Sequence, residues 1–286
     1  MVDAGRPAFT SIIEVFPPLF SASEEVEPVV GLRQKTRDLV ERVRRIKHLA
    51  DSFLLADLQD SARMKLPTVL SASILRERAG VDAIPVITAR DSNRAAVTSS
   101  LLSAYSLGLT SIMLVWGDRY NGDGPKNVYD FKSLSEVIGL ARKLAERSGT
   151  KCRLLAPVDL PALATERGLG LAKQRLASGA DVLLAQPPTA DSHSTLQDHA
   201  RLIKTSGLEG RVLLNVFPFR DYRDIENCRA KFGWKLPKRL DVLGRRGERA
   251  LLLEARRVAD AIERKGLPGL YVTTRGRPEV ARFILD

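Results

Sequence analysis

The sequence predicts an α/β fold, a (β/α)8 TIM barrel that takes residues 1–286 as a single domain. Short β-branched apolar runs alternate with segments of 3.6-residue helical periodicity along the whole chain. Eight such units fit 286 residues, since barrels of this kind typically need about 250. The runner-up is a doubly wound open sheet, whose Gly-x-Gly-x-x-Gly and phosphate-loop lysine motifs the chain lacks.

The first predicted strand, Ser11–Phe16, stops at Pro17 and Pro18, because proline has no N–H for the strand ladder. This strand carries Glu14 inside an otherwise apolar run. A buried parallel strand is nearly all apolar, so Glu14 needs either a partner or a chemical task. A salt-bridged or rim-exposed glutamate is the plainer alternative.

Seven further apolar runs predict the other strands. They are Asp51–Asp57, Asp82–Ala89, Ser111–Gly117, Lys151–Val158, Asp181–Gln186, Arg211–Pro218 and Gly269–Thr274. Capping residues and apolar periodicity predict the helices between them. These helices cover Gly31–Ala50, a segment from Asn93 to Gly108, a segment opening with the capping box Ser133–Glu136, Ala162–Ser178, Ser194–Ser206, a helix from near Asp221, Arg245–Lys265 and Pro278–Leu285. Residues 59–80 are predicted as a long loop with a short helix over Ser71–Ala79, and residues 232–243 as a broken connection.

The formal net charge of +11 and the pI of about 9.9 raise the question of a polyanionic partner. The basic residues are spread over many helices, and no motif interleaves them with aromatic side chains that could stack on bases. We therefore expect no nucleic-acid partner. A basic surface around a pocket for an anionic small molecule explains the charge equally well.

The sequence also predicts where the protein works. It has no apolar run of the roughly 20 residues that span a bilayer, and its first ten residues do not resemble a signal peptide. We expect a soluble, cytoplasmic protein with no membrane partner. Cys152 and Cys228 show no ligand spacing with the three histidines, so neither a metal site nor a disulfide is expected.

Active sites of (β/α)8 barrels lie at the carboxyl ends of the strands. The residues at those predicted ends are therefore the candidates for a pocket: Glu14, Asp57, Asp91, Asp118, Asp159, Gln186, Phe217 and Thr274. A carboxyl group held beside prolines and aromatic rings there could have a raised pKa and act as a general acid. Gly117, just before Asp118, would allow the backbone to approach a ligand closely.

Several of these motifs resemble the methylenetetrahydrofolate reductase family. The segment Glu14–Pro18 resembles the family's Glu-Phe-Phe-Pro-Pro opening, and Gly117-Asp118 resembles the end of its fourth strand. Other positions also match family residues in order and spacing: Gln186 in strand six, Tyr129 between strand and helix four, and Tyr222 after the seventh strand. The resemblance extends from residue 11 to residue 285.

The resemblance implies a (β/α)8 reductase that converts 5,10-methylenetetrahydrofolate, or a related tetrahydropterin, to its 5-methyl form. Hydride would be transferred to a 5-iminium cation. Such an enzyme would act in one-carbon metabolism and methionine biosynthesis. Glu14 would be the general acid that protonates N10, and Asp118 would bind the pterin and stabilise the cation. Gln186 and Tyr222 would bind the substrate. The plainer alternatives are a helix cap for Asp118 and a satisfied rim amide for Gln186.

The resemblance further implies FAD as cofactor, with NADH or NADPH as the hydride donor. Gly117, Asp118, Tyr129 and Arg175 would contact the cofactor. Other family positions are replaced in this chain, by Val86, Trp116, Leu155, Asp159, Gly168 and Leu171. Two explanations compete, with family analogy favouring the first: FAD held by a rebuilt set of contacts, or hydride passed directly from a reduced nicotinamide or another donor.

The sequence leaves two other classes of function open. The chain could be a non-reducing subunit that binds a pterin for a partner protein, with a homo-oligomer or a partner subunit as its working form. A basic nucleic-acid-binding barrel is supported by the net charge of +11 alone.

Overall fold

The computed structural model describes residues 9–21, 29–57, 63–117 and 128–286. In this part of the chain a small antiparallel sheet pairs β2 (Leu19–Ser21) with β4 (Arg63–Lys65). The barrel strands are β1 (Thr10–Val15), β3 (Ser52–Leu55), β5 (Asp82–Thr88), β6 (Ser111–Val115), β7 (Arg153–Asp159), β8 (Val182–Gln186), β9 (Val212–Val216) and β10 (Gly269–Val272). These eight strands are all parallel and close in the order β1-β10-β9-β8-β7-β6-β5-β3, which confirms the predicted (β/α)8 barrel.

Helices lie between the strands. They are α1 (Val29–Ile46), α2 (Thr68–Ala79), α3 (Arg94–Ser106), α4 (Leu134–Arg147), α5 (Glu166–Ala177), α6 (Ser194–Thr205), α7 (Tyr222–Phe232), α8 (Arg239–Arg245), α9 (Glu248–Arg264) and α10 (Val280–Leu285). Asn93 and Ser133 are N-caps, as the sequence indicated, since their side chains accept from the N–H groups of Ala96 and Glu136.

Two apolar layers hold the barrel together. The inner layer fills the barrel with side chains from alternate strand positions: Ile12, Leu54, Ile84, Val86, Met113, Leu155, Val182, Leu184, Leu213 and Tyr271. The residues of opposite parity, such as Ile13, Phe53 and Leu214, pack outwards against the helices. Because side chains alternate, Glu14 follows Ile12 on the inner face, and Gln186 follows Leu184 there.

The segment 59–80 is more ordered than the long loop that the sequence predicted. Strand β4 pairs with β2, and α2 begins at Thr68, three residues before the predicted start at Ser71. The Thr68 hydroxyl donates to the carbonyl oxygen of Val86 over 2.7 Å, which ties the first turn of α2 to β5. Pairing between short strands so far apart in sequence leaves no local periodic signal.

The predicted connection at residues 232–243 includes the first five residues of α8, which runs to Arg245, and the last long helix begins at Glu248 instead of Arg245. Gly247, with a φ of +95°, separates α8 from α9, and a side chain at that φ would strain the backbone. The Arg229 guanidinium helps to fix this region, because it donates to the carbonyl oxygen of Leu236 and pairs with Asp241.

Candidate active site

The carboxyl ends of the strands surround a cavity of about 390 Å³, here called the central cavity. Its lining residues are Glu14, Leu54, Ala56, Asp57, Val86, Thr88, Met113, Val115, Trp116, Gly117, Pro157, Leu184, Gln186 and Tyr271. The cavity lies at the end of the barrel where such folds place their active sites, and its volume is in the range of small-molecule sites.

The polar groups of this end of the barrel lie on four adjacent strands, β8, β9, β10 and β1. Gln186 ends β8, Asn215 is fully buried on β9, and the β9–β10 register places Asn215 beside Tyr271. The Asn215 Oδ1 accepts from the Thr273 hydroxyl over 3.0 Å. Glu14 completes this group from β1, so one half of the barrel mouth can form hydrogen bonds.

The other half of the cavity is mainly apolar, with the Thr88 hydroxyl on β5 as a polar exception. Strands β5, β6 and β7 contribute Val86, Met113, Val115 and Pro157. A cavity with a polar side and an apolar side suits a flat heterocycle, because ring edges carry hydrogen-bonding groups while ring faces need apolar contact.

Glu14 is partly buried, and burial raises the pKa of its carboxyl group to about 7. Two effects of Arg275 oppose this rise without cancelling it: its backbone N–H donates to Glu14 Oε1 over 3.3 Å, and its positive charge favours the carboxylate. At neutral pH a large fraction of Glu14 therefore keeps its proton, as a general acid requires.

Arg275 is fixed beside Glu14 by its own contacts. Its guanidinium pairs with the buried carboxylate of Asp224 and lies 5.3 Å from the centre of the Phe217 ring. The φ of Arg275 is +56°, an uncommon value for a residue with a side chain. In this conformation the Arg275 backbone N–H donates to the Glu14 carboxyl group. The hydroxyl of the neighbouring Thr274 donates to the Glu14 carbonyl oxygen over 2.7 Å.

Tyr271 orients the amide of Gln186. The Tyr271 hydroxyl donates to the carbonyl oxygen of Ala185 over 2.8 Å and accepts from Gln186 Nε2 over 2.7 Å. Burial and the charge of Glu14 raise the pKa of Tyr271 well above its ordinary value, so this hydroxyl stays protonated and remains a donor. The Gln186 Oε1 is buried and has no hydrogen-bond partner among the described residues, which leaves it for an N–H of a ligand or a water.

Trp116 and Tyr129 form a stacked pair at the rim. Their ring centres are 4.5 Å apart and the rings are 5° from parallel. Trp116 lines the central cavity, and Gly117 after it has a φ of +94°. Tyr129 was predicted to contact a cofactor, and one face of its ring is covered by Trp116. Asp118, predicted both to catalyse and to bind, lies outside the described residues.

Two other predicted site residues do not line the central cavity. Tyr222 opens α7, where the Arg245 guanidinium lies 4.4 Å from its ring centre. Arg175 lies on α5 and donates to the Pro157 carbonyl oxygen over 2.5 Å. Burial lowers the pKa of Arg175, and the charge of Asp159 partly opposes that shift. Ligand contacts by Tyr222 and Arg175 stay predictions.

Three other strand-end candidates have structural partners. Asp57 lines the cavity and pairs with Lys65. Asp91 accepts from the backbone N–H of Val128 and pairs with Arg90, which fixes the turn after β5. Phe217, the aromatic residue among these candidates, packs in a small apolar cluster at the end of β9. The cluster also contains Phe219, Ile225, Leu240 and Trp234.

The residues that line the central cavity do not fit FAD. No lysine or arginine lines the central cavity in the part of the chain that the structure describes, and Arg175, a predicted cofactor contact, is engaged by a backbone carbonyl. Val86 and Leu155, at two positions where the family has polar side chains, belong to the apolar interior. A cavity of about 390 Å³ is too small for a whole dinucleotide, and the FAD pyrophosphate would find no cationic partner in its lining.

The sequence reasoning missed Asn215 and Tyr271. Asn215 is a polar residue inside the run Leu-Leu-Asn-Val-Phe, the same signal that singled out Glu14. Tyr271 could have been placed on the inner face by counting alternate residues back from Thr273.

The residues described by the structure contain no cluster of three or more histidine, cysteine or acidic side chains that could hold a metal ion. Among these residues no helix is both long and apolar enough to cross a membrane.

Solved structures with a similar fold share little sequence with this chain. An uncharacterized protein from Clostridium thermocellum that binds two copies of 5-methyl-5,6,7,8-tetrahydrofolic acid has a TM-score of 0.67 at 12% identity, over 98% of this chain and 94% of its own. An oxaloacetate acetylhydrolase has a TM-score of 0.54 at 11% identity, over 98% and 80% of the two chains. At such identities these similarities show the fold alone.

Sequence comparison gives the family. No curated protein matches the chain closely enough to count as a relative. The family model described as methylenetetrahydrofolate reductase, however, matches residues 10–243, a segment that contains Glu14, Gln186 and every barrel strand except β10. This chain belongs to the methylenetetrahydrofolate reductase family.

Proposed function

We propose that this protein reduces 5,10-methylenetetrahydrofolate, or a related tetrahydropterin, to the 5-methyl form. The observation that carries the proposal is Glu14, a carboxyl group at the polar side of the central cavity whose pKa burial raises to about 7. Family membership supports a folate-related oxidoreductase. The similar barrel from Clostridium thermocellum, which binds 5-methyltetrahydrofolic acid, supports folate as the pterin.

Glu14 would open the five-membered ring of the substrate. Its proton goes to N10, the bond from N10 to the methylene carbon breaks, and the positive charge moves to the 5-iminium. The carboxylate left behind lies in a poorly hydrated site, where it stabilises that cation more than it would in water. Solvent then returns a proton to Glu14. Asp118 stays a predicted second source of negative charge.

The polar half of the mouth would bind the pterin edge. Tyr271 uses the amide N–H of Gln186, so Gln186 presents an oxygen and requires a donor on the ligand. A reduced pterin carries N–H donors on its ring edge. Val86 and Met113 would contact the ring face from the opposite side.

Replacing Tyr271 with phenylalanine should weaken the binding of a reduced pterin about tenfold, because the Gln186 amide loses the hydroxyl that fixes its orientation. Titration calorimetry with tetrahydrofolate measures this. Tyr105→Phe is the matched control, since the Tyr105 hydroxyl also donates to a buried carbonyl, that of Ala141, away from the cavity. Equal affinities for both variants would contradict the role of Tyr271.

Hydride would come from NADH or NADPH. Family members generally use FAD as well as a nicotinamide donor. FAD held by a rebuilt set of contacts, with Asp118 among them, stays a prediction. The described residues favour direct transfer to the pterin, because Arg175 and Val86 offer the flavin no polar contact in the cavity.

Direct transfer predicts that the purified protein shows no flavin bands in its visible absorption spectrum and keeps its activity after exhaustive dialysis. Added FAD should leave the rate unchanged. A yellow protein whose activity follows its flavin content would overturn direct transfer and restore the FAD expectation. Denaturing the protein and measuring released flavin by fluorescence provides an independent control.

The function itself is tested by mixing the protein with 5,10-methylenetetrahydrofolate and NADH or NADPH. Loss of dihydronicotinamide absorbance should match the 5-methyltetrahydrofolate formed. Tight pterin binding without turnover with either NADH or NADPH would instead favour the alternative, a subunit that holds a one-carbon carrier for a partner protein. If the protein shows no pterin binding and no turnover, both the reductase and the carrier-subunit hypotheses are contradicted.

A further inference from the structure

A second cavity adjoins the central one. It is an open groove of about 580 Å³ between α2 and α3, here called the α2–α3 groove. Its lining residues are Asp57, Lys65, Pro67, Thr68, Val69, Leu70, Val86, Ile87, Thr88, Ser92, Val97, Ser99, Ser100, Ser103 and Leu107. Asp57, Val86 and Thr88 line both cavities, so a ligand in the groove reaches the wall of the central cavity.

The groove offers a distinct set of contacts. Hydroxyl groups line its α3 side, whereas Val69 and Leu70 give its α2 side an apolar surface. Lys65 supplies a positive charge, paired with Asp57 at the junction of the two cavities. This combination suits a long ligand that has sugar hydroxyls, apolar rings and a short anionic part.

The N-terminus of α2 faces the groove. Pro67 is its N-cap and gives no side-chain hydrogen bond, so the first N–H groups of the helix are uncapped. An uncapped helix N-terminus favours an anion. Independently, the hydroxyl of Thr88, a residue only 6% exposed, has no hydrogen-bond partner among the described residues. A buried polar atom of this kind indicates a missing partner at the junction.

We propose that the α2–α3 groove binds the dinucleotide part of the reduced nicotinamide donor while the pterin occupies the central cavity. This inference rests on the proposed function. Direct hydride transfer requires both ligands to be bound together, and a central cavity of about 390 Å³ is too small to hold a pterin together with a whole dinucleotide. The nicotinamide would enter beside Thr88 and Val86, and the phosphates would lie at Lys65 and the start of α2.

The transfer balances without another reactant. The C4–H bond of the dihydronicotinamide breaks with its electron pair, and this hydride forms the third C–H bond at the methylene carbon of the 5-iminium. The nicotinamide leaves oxidised, and the pterin leaves as the 5-methyl form with the Glu14 proton on N10.

The tail of the pterin is the competing occupant. A polyglutamate tail would bring several carboxylates into a groove where Lys65 is the single basic residue of the described lining and is already paired with Asp57. The pyrophosphate of NADH brings two negative charges, and its two riboses bring hydroxyl groups that match the serines along α3. Charge compensation therefore favours the dinucleotide.

Blocking the groove tests the proposal. Ser100→Trp should raise the Kd for NADH and NADPH at least tenfold, measured by dihydronicotinamide fluorescence with the full chain and no pterin. The Kd for tetrahydrofolate should change less than twofold. Thr98→Trp is the matched control, because Thr98 is also half-buried on α3 but faces a different groove. It should change neither constant. If Ser100→Trp does not fold, Ser103→Trp at an exposed groove position replaces it.

Each other outcome separates the hypotheses. Weaker tetrahydrofolate binding with unchanged NADH binding would overturn the proposal and place the pterin tail in the groove. Unchanged binding of both ligands would also overturn it. Initial rates at varied concentrations of both substrates should give intersecting lines, since both ligands are bound together. If tetrahydrofolate does not bind even to the unmodified protein, the proposed function fails, whereas loss of NADH binding in Ser100→Trp would still support the groove.

Discussion

Replacing Glu14 with glutamine should lower turnover about 10³-fold, because a positioned general acid typically contributes 10² to 10⁴. Glutamine keeps the size of the side chain and can still accept from the Arg275 N–H, so the cavity keeps its shape. The affinity for a reduced pterin should therefore stay within a few fold. Single-turnover rates and calorimetric pterin binding, measured on the same preparation, separate the two effects.

Glu166→Gln is the matched control for this prediction. It makes the same chemical change at an exposed residue in the first turn of α5, which does not line the central cavity. Its turnover should equal that of the unmodified protein. Full activity of Glu14→Gln would contradict the general-acid role, and a parallel loss of pterin binding would show that Glu14 mainly holds the substrate.

The sequence predicted the barrel because each element carries its own signal. Strands such as Ser111–Val115 are continuous apolar runs, and Ser133 caps its helix through a local hydrogen bond. Glu14 could be found in the same way, since a charge inside an apolar run is visible without a structure. Asn215 obeys this rule too and could have been found by it.

Other features depend on contacts that local sequence does not encode. The pair formed by Gln186 and Tyr271 joins residues 85 positions apart, and it requires β8 and β10 to lie on either side of β9. The Arg275 N–H reaches Glu14 across 261 positions, through a left-handed backbone conformation that an arginine rarely adopts. Only closure of the barrel brings these groups to one site.

Glu14 should also make the protein less stable as the pH rises from about 4.5 to about 7. Its carboxyl group has a pKa of about 7 in the folded protein and an ordinary value of 4.5 when unfolded. Over that range the unfolded chain loses the proton while the folded protein keeps it, so the free energy of unfolding falls by about 3 kcal/mol in total. Above pH 7 both forms are ionised and the loss is complete.

Glu14→Gln removes this titration, and the difference between the two proteins isolates it. At pH 4 their unfolding free energies should differ by a small constant amount, and at pH 8 the variant should be more stable by about 3 kcal/mol relative to that baseline. Other titrating groups, such as the buried His199 with its pKa lowered to about 4, are common to both proteins and cancel. Urea unfolding at both pH values measures the difference, and a pH-independent difference would contradict the raised pKa. The same carboxyl group should make kcat/KM of the unmodified enzyme decline above pH 7, because only its protonated form can open the substrate ring.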